Sequence, residues 1–196
     1  GHALGLAGLY FIVSKDMGNA LMFVLIFVVM AFTAGFALRW FALLIGGAAA
    51  AIGGIVVFDL VPDSKKYMLN RFLVLFDHSY DTAHTGWQQT RSLLTIGGGG
   101  FWGQGYLHGT QTQAGAGSLP ARHTDLIFAV IGEELGFVGA TLAILLLIAI
   151  IIRILAVGRR ASLPAHTYLC VGIASMLAFQ MILNIGMCLF IMPVIG

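Results

Sequence analysis

The chain has 196 residues, 59% of them hydrophobic and only 9% charged, with a net charge of +2. With a mean hydropathy of +0.96 it has too little polar surface to cover a water-soluble globule, so the bilayer is its expected solvent. A net charge this small, without a long basic block, argues against a nucleic-acid partner and leaves the membrane as the dominant one.

The first apolar stretch, residues 3–14, is shorter than a full crossing and is closed by Lys15-Asp16. Two uncharged runs follow, one predicting a helix over 17–38 and the other a helix over 40–60, separated by Arg39. Gly46, Gly47, Gly53 and Gly54 give the latter a small-residue face suited to close helix packing. From about 61 to 134 the composition turns to Pro, Asp, His, Gln, Thr and Gly, which predicts a loop far longer than a bundle needs for a connection. Its aromatic residues, among them Phe72, Trp87, Phe101, Trp102 and Tyr106, argue against a solvated tail. Within it, Trp87, Leu93, Leu94 and Ile96 form a weak amphipathic pattern suited to a helix on the membrane surface.

Further helices are expected over 135–157 and 166–192, the latter carrying Gln180 and Asn184 one turn apart as interhelical hydrogen-bonding groups. The predicted fold class is therefore all-α, a polytopic transmembrane helix bundle with one long, partly helical extracellular loop. The orientation follows from Arg39, Arg153, Arg159 and Arg160, which lie in short turns with no acid near them and belong on the cytoplasmic side. Cys170 and Cys188 sit in apolar stretches and read as small buried thiols. The chain opens on Gly1-His2 and stops at Gly196 inside an apolar run, as expected of a piece of a larger bundle.

Chemistry concentrates in Leu119 to Gly136, where Pro120, Arg122, His123, Asp125, Glu133 and Glu134 meet the mouth of an apolar run. Charge at a hydrocarbon boundary is costly unless it is paired or used. A straight helix from Thr124 would carry Glu133 and Glu134 about 13 Å along its axis and into hydrocarbon. A short helix over 123–134 at the outer boundary, with the true span beginning near Leu135-Gly136, avoids this and leaves the carboxylates lining an outward-facing cavity.

These residues resemble the SEDS family of membrane proteins, the group of RodA, FtsW and SpoVE. The likeness runs through Asp16-Met17-Gly18-Asn19-Ala20-Leu21, the stretch from Ile96 to Gly105, Gly109-Thr110-Gln111-Thr112-Gln113, and His123-Thr124-Asp125 through Glu133-Glu134-Leu135-Gly136. It ends in Asn184-Ile185-Gly186-Met187 with Pro193, so it covers almost the whole chain. The resemblance implies a peptidoglycan glycosyltransferase that polymerises lipid II at the outer face of the bacterial cytoplasmic membrane beside a class B penicillin-binding protein. Asp125 then occupies the place of the family's essential aspartate and is the expected catalytic base. Arg122, His123, Arg91, Gln111, Glu133 and Glu134 are the expected substrate contacts, and Asp16, Gly18 and Asn184 the supporting residues. The chain departs from the family pattern at Gly98, Gln104 and Ala121, where Ser, Lys and Glu are usual, and at Arg91, where a Gln is frequent.

Each candidate also has a structural reading. Thr124 or Asp125 is well placed to cap a helix, and Glu133 and Glu134 to anchor one at the interface. His78, His84 and His108 lack ligand spacing, so no protein-built metal site is expected; a divalent cation shared with a substrate diphosphate stays open. The alternative functions are a flippase for a lipid-linked precursor and a non-catalytic scaffold for the penicillin-binding protein. The retained run from His123 to Glu134 favours the enzyme.

Overall fold

The computed structural model describes residues 17–37, 39–43, 46–47, 85–113, 119 and 124–192. The expected helix over 3–14 and most of that over 40–60 lie outside these residues. Among the described residues there are four main helices: α1 (Met17–Thr33), α2 (Thr85–Gly98), α3 (Ile127–Arg159) and α4 (Pro164–Cys188). No strand occurs among the described residues. Helix α3 packs on α4, α4 on α1, and α2 across α3. With α3 and α4 both long and apolar enough to cross a membrane, the chain is an all-α membrane protein.

Two helices end earlier than an uncharged run alone suggests, and local geometry explains both. The run over 17–38 stops at Thr33 because Gly35 adopts φ 87°, with Phe36 N–H donating to Ala31 O (3.1 Å) and Gly35 N–H to Phe32 O (3.0 Å). That left-handed cap satisfies the last carbonyls, and residues 39–43 then resume a separate helical turn. Helix α4 ends by the same device at Cys188 rather than 192, with Phe190 at φ 59° and Ile191 N–H donating to Gly186 O (2.9 Å). Its start moves the other way, to Pro164, whose missing N–H costs nothing in a first helical turn.

The loop expected over 61–134 gives way to α3 at Ile127, and α3 itself is two helices joined across a break. Gly136 sits at φ 66° and ψ −168°, a conformation essentially reserved for glycine. The backbone accounting there closes by exchange. Glu133 O and Glu134 O, which in a continuous helix would accept from Phe137 and Val138, instead accept from Gln104 N–H (2.9 Å) and Gly105 N–H (3.0 Å). The freed Phe137 and Val138 amides donate to Gly100 O (2.9 Å) and Phe101 O (3.2 Å). The glycine-rich loop after α2 is thus stitched into the break, and no backbone group in this exchange is orphaned. A Cβ at Gly136 would collide with Gly103 N and Phe101 O. Gly136→Ala is expected to cost at least about 2 kcal/mol, from backbone strain added to displacement of the loop. Thermal unfolding of the full-length protein in detergent checks this, and an unchanged midpoint would contradict the stitched break.

Helix α2 buries its polar face against the protein and leaves apolar residues outside, an arrangement compatible with a helix on the membrane surface. Gln89, Ser92 and Thr95 are buried, whereas Trp87, Leu93 and Leu94 are exposed. The polar face is needed inside because it meets the carbonyl end of α4. Gln89 Nε2 donates to Met192 O (2.6 Å) and Ser92 Oγ to Cys188 O (3.0 Å), meeting acceptors that the helix end leaves open. The apolar residues are left for the outside, as a lipid-facing helix allows.

Candidate active site

Asp125 stands in the turn that leads into α3 and is half-buried. The helix start it precedes is not capped by its N-cap side chain: Leu126 stands there and makes no side-chain cap bond. Asn184 of α4 supplies the cap from across the bundle. Its Oδ1 accepts from Phe128 N–H (3.3 Å), and its Nδ2 donates to Thr124 O (3.2 Å) and Asp125 O (3.1 Å). The turn is thereby held by its backbone. Beneath it Leu119, Leu126, Ala129 and Cys188 form the buried core cluster, with Ile96 and Phe128 packed against them. Removal of the amide in Asn184→Ala is expected to lower stability by about 1–2 kcal/mol and to loosen the Asp125 turn. A fall in thermal midpoint with loss of activity would be the signature; a variant as stable as the wild type would count against this capping.

With capping done by Asn184, the Asp125 carboxylate is not spent on the fold, and no described residue donates a hydrogen bond to it. It lines a cavity of about 460 Å³ between α1, α3 and α4. Gly18, Asn19 and Met22 of α1 form one wall, and Phe128, Ile131 and Asn184 line the cavity with Asp125. Farther along, Ala143, Ile144, Leu147 and Leu177 make the lining apolar. Among the described lining residues Asp125 is the only charged one. A polar mouth that passes into an apolar channel suits an amphiphile with a large head and a hydrocarbon tail.

The structure brings together three of the expected site residues, Asp125, Gly18 and Asn184. Glu133 and Glu134, expected to line the outward cavity and contact substrate, are placed elsewhere and do different work. Glu133 is fully buried; its Oε1 accepts from Gln111 N–H (2.8 Å) and Thr110 Oγ1 (3.2 Å), and its Oε2 from Thr112 N–H (3.0 Å). Glu134 is buried beside it and accepts from Leu107 N–H at 3.1 Å. Both carboxylates are buried under the loop whose amides they accept from, away from the cavity, which is the physical reason for the difference. Gly109 leaves the space that the Glu133 carboxylate fills. Gln111 belongs to the same cluster through its backbone, and its carbonyl accepts from Leu119 N–H (3.2 Å). Arg91 lies on α2 with its guanidinium 5.8 Å from the Trp87 ring centre. Neither Gln111 nor Arg91 lines the cavity. Arg122, His123 and Asp16 lie outside the described residues.

Sequence reasoning missed Gln89, Ser92 and Gln104. Gln104 braces the loop, donating through Nε2 to Gly98 O (3.0 Å) and accepting at Oε1 from Thr110 N–H (2.8 Å). The i, i+3 spacing of Gln89 and Ser92 was the available signal for a buried polar face. No group of three His, Cys, Asp or Glu able to hold a metal occurs among the described residues.

A family model described as a cell cycle protein, that of FtsW, RodA and SpoVE, matches residues 3–196. The chain is 36% identical over 181 residues to the peptidoglycan glycosyltransferase MrdB of Escherichia coli K12, covering 92% of this chain and 47% of that protein. It is 32% identical over 184 residues to a protein named "Probable peptidoglycan glycosyltransferase FtsW" of Escherichia coli O6:H1, covering 92% and 42% respectively. Its fold is similar, with a TM-score of 0.74 and 29% identity, to a chain in a structure described as "Structural coordination of polymerization and crosslinking by a peptidoglycan synthase complex". That likeness covers 99% of this chain and 51% of the other, so the chain spans about half the length of the relatives it matches.

Proposed function

We propose, for a chain that belongs to the FtsW, RodA and SpoVE family, that the protein containing it is a peptidoglycan glycosyltransferase polymerising lipid II. The observation that carries this reading is the Asp125 carboxylate, unused by the described fold and placed on a cavity whose lining changes from polar to apolar. Joining two lipid-borne sugars needs a base at the acceptor. In the proposed step the acceptor hydroxyl oxygen bonds to the anomeric carbon of the donor sugar while the bond from that carbon to the diphosphate breaks. The hydroxyl proton passes to Asp125, and the polyprenyl diphosphate leaves with the bonding electron pair. The apolar stretch past Ile144 and Leu147 accommodates a lipid chain, which places the sugar at the mouth.

Arg122, three residues before Asp125 in the chain, is the cation proposed for the departing diphosphate, and His123 is proposed for the acceptor side; Arg91, off the cavity, is left out of the step. A divalent cation carried by the substrate diphosphate itself is compatible with the reading. The proposed setting is the bacterial cytoplasmic membrane, with α2 and the glycine-rich loop on the outer side, as the arginine-bearing turn between α3 and α4 supports. The proposed partner is a class B penicillin-binding protein. Its support is the similarity to a chain from a complex described as coordinating polymerization with crosslinking.

The test is polymerisation of purified lipid II by the full-length protein in liposomes, with and without the partner, resolved by gel electrophoresis. Glycan strands are the expected product. Translocation of lipid II between leaflets without polymer, or partner binding with no turnover, would overturn the reading in favour of a flippase or a scaffold.

A further inference from the structure

Three polar side chains of α4 are hydrogen-bonded inside the protein. Thr167 Oγ1 donates to Gly158 O (3.0 Å), Ser175 Oγ to Gly172 O (2.8 Å), and Asn184 uses both ends of its amide at the start of α3. Gln180 is different. It lies one helical turn from Asn184, on a membrane-crossing helix, and lines the same cavity. It is exposed, and no described residue hydrogen-bonds to its side chain. The expectation that Gln180 and Asn184 both serve as interhelical glue is met by Asn184 alone.

An amide held in an apolar channel without a partner costs free energy that an aliphatic side chain would avoid. Its place defines what would satisfy it. One turn, about 5–6 Å of helix rise, separates Gln180 from the Asn184 cap and hence from the Asp125 turn. Leu177, Ile144 and Leu147 continue the lining as hydrocarbon. Gln180 therefore stands where a lipid-borne substrate passes from polar head to apolar chain. In a lipid-linked sugar that junction is the diphosphate. No cation lines the cavity among the described residues, so a neutral N–H donor is what α4 offers there.

We infer that Gln180 is a substrate-binding residue whose side-chain amide donates to phosphate oxygens at the junction of head and lipid chain. The inference rests on the glycosyltransferase reading and deepens it by assigning the depth at which the head group stops.

The experiment uses the full-length protein in liposomes with lipid II. Gln180→Leu is expected to raise KM about tenfold, the loss of one hydrogen bond to a charged group, with kcat changed less than threefold. Gln180→Glu, which sets a carboxylate against the phosphate, is expected to raise it further. Binding is read separately in an Asp125→Asn background, from the shift in thermal midpoint on adding lipid II; adding Gln180→Leu should diminish that shift. Gln180→Met replaces Leu if the latter fails to insert. Wild-type KM together with an undiminished shift would overturn the assignment. So would a lowered midpoint without substrate at unchanged KM, the result expected of interhelical glue. Polymer formation by Asp125→Asn alone would instead sink the catalytic reading while leaving the binding measurement interpretable.

Discussion

Asp125→Asn in the full-length protein is expected to reduce lipid II polymerisation about a hundred- to ten-thousand-fold, the range for loss of a positioned general base. The same substitution should shift stability by no more than about 0.5 kcal/mol, as for a side chain outside the packing and hydrogen bonding of the fold. Both halves follow from one arrangement. The α3 start is capped by Asn184, the turn is held through the carbonyls of Thr124 and Asp125, and the carboxylate faces the cavity without a described donor. Asn keeps the size and removes the basicity. A polymerisation assay beside a thermal melt in the same detergent reads both numbers. A variant that loses activity only because it melts early would show that the carboxylate belongs to the fold, and one that polymerises normally would end its role as base.

The second large effect is predicted eight residues farther on, at Glu133. Its two oxygens accept three hydrogen bonds from Thr110, Gln111 and Thr112 in a fully buried setting. Glu133→Gln keeps one oxygen but turns an NH2 group toward the Thr112 amide, setting donor against donor. The expected cost is about 2–4 kcal/mol, because buried donors are expensive to leave unmatched and the charge-assisted bonds become ordinary ones. Glu134→Gln should cost less. Its contact with Leu107 is a single backbone bond of 3.1 Å, and its approach to Thr112 Oγ1, at 3.5 Å, is long. Denaturation of the two variants gives the order, and hydrogen exchange at Gln111 and Thr112 shows whether the loop is what comes free. Equal, small effects would show that the loop is held by its glycine-mediated backbone exchange at Gly136 alone.

The contrast between these carboxylates shows what a sequence conveys about a site. Asp125, Glu133 and Glu134 are alike as charges beside an apolar run, and by composition all three are candidates for substrate. Whether a carboxylate is free or occupied depends on which distant amides arrive beside it. Those of Glu133 come from a loop more than twenty residues upstream. Asn184 was legible as a polar group that an apolar helix must satisfy, but its partner on α3 was not, because a side-chain amide can meet any donor and acceptor the packing brings. On α2 the amphipathic pattern was legible as that of a membrane-surface helix, but not that its polar face would meet the open carbonyls at the end of α4.

Composition and unbroken apolar runs were enough to determine the solvent, the all-α class and the presence of crossing helices, because the cost of placing charge in hydrocarbon is local and additive along the chain. The motif order was enough to single out Asp125. The break at Gly136 was itself legible, because a straight helix would carry Glu133 and Glu134 into hydrocarbon. The helix ends at Gly35 and Phe190, the hydrogen-bond exchange across that break, and the division of labour between the free and the clasped carboxylates were decided by tertiary structure alone. Each depends on a left-handed or glycine-only backbone conformation, or on a hydrogen-bond partner far away in sequence, and neither is recorded in the hydropathy of a segment.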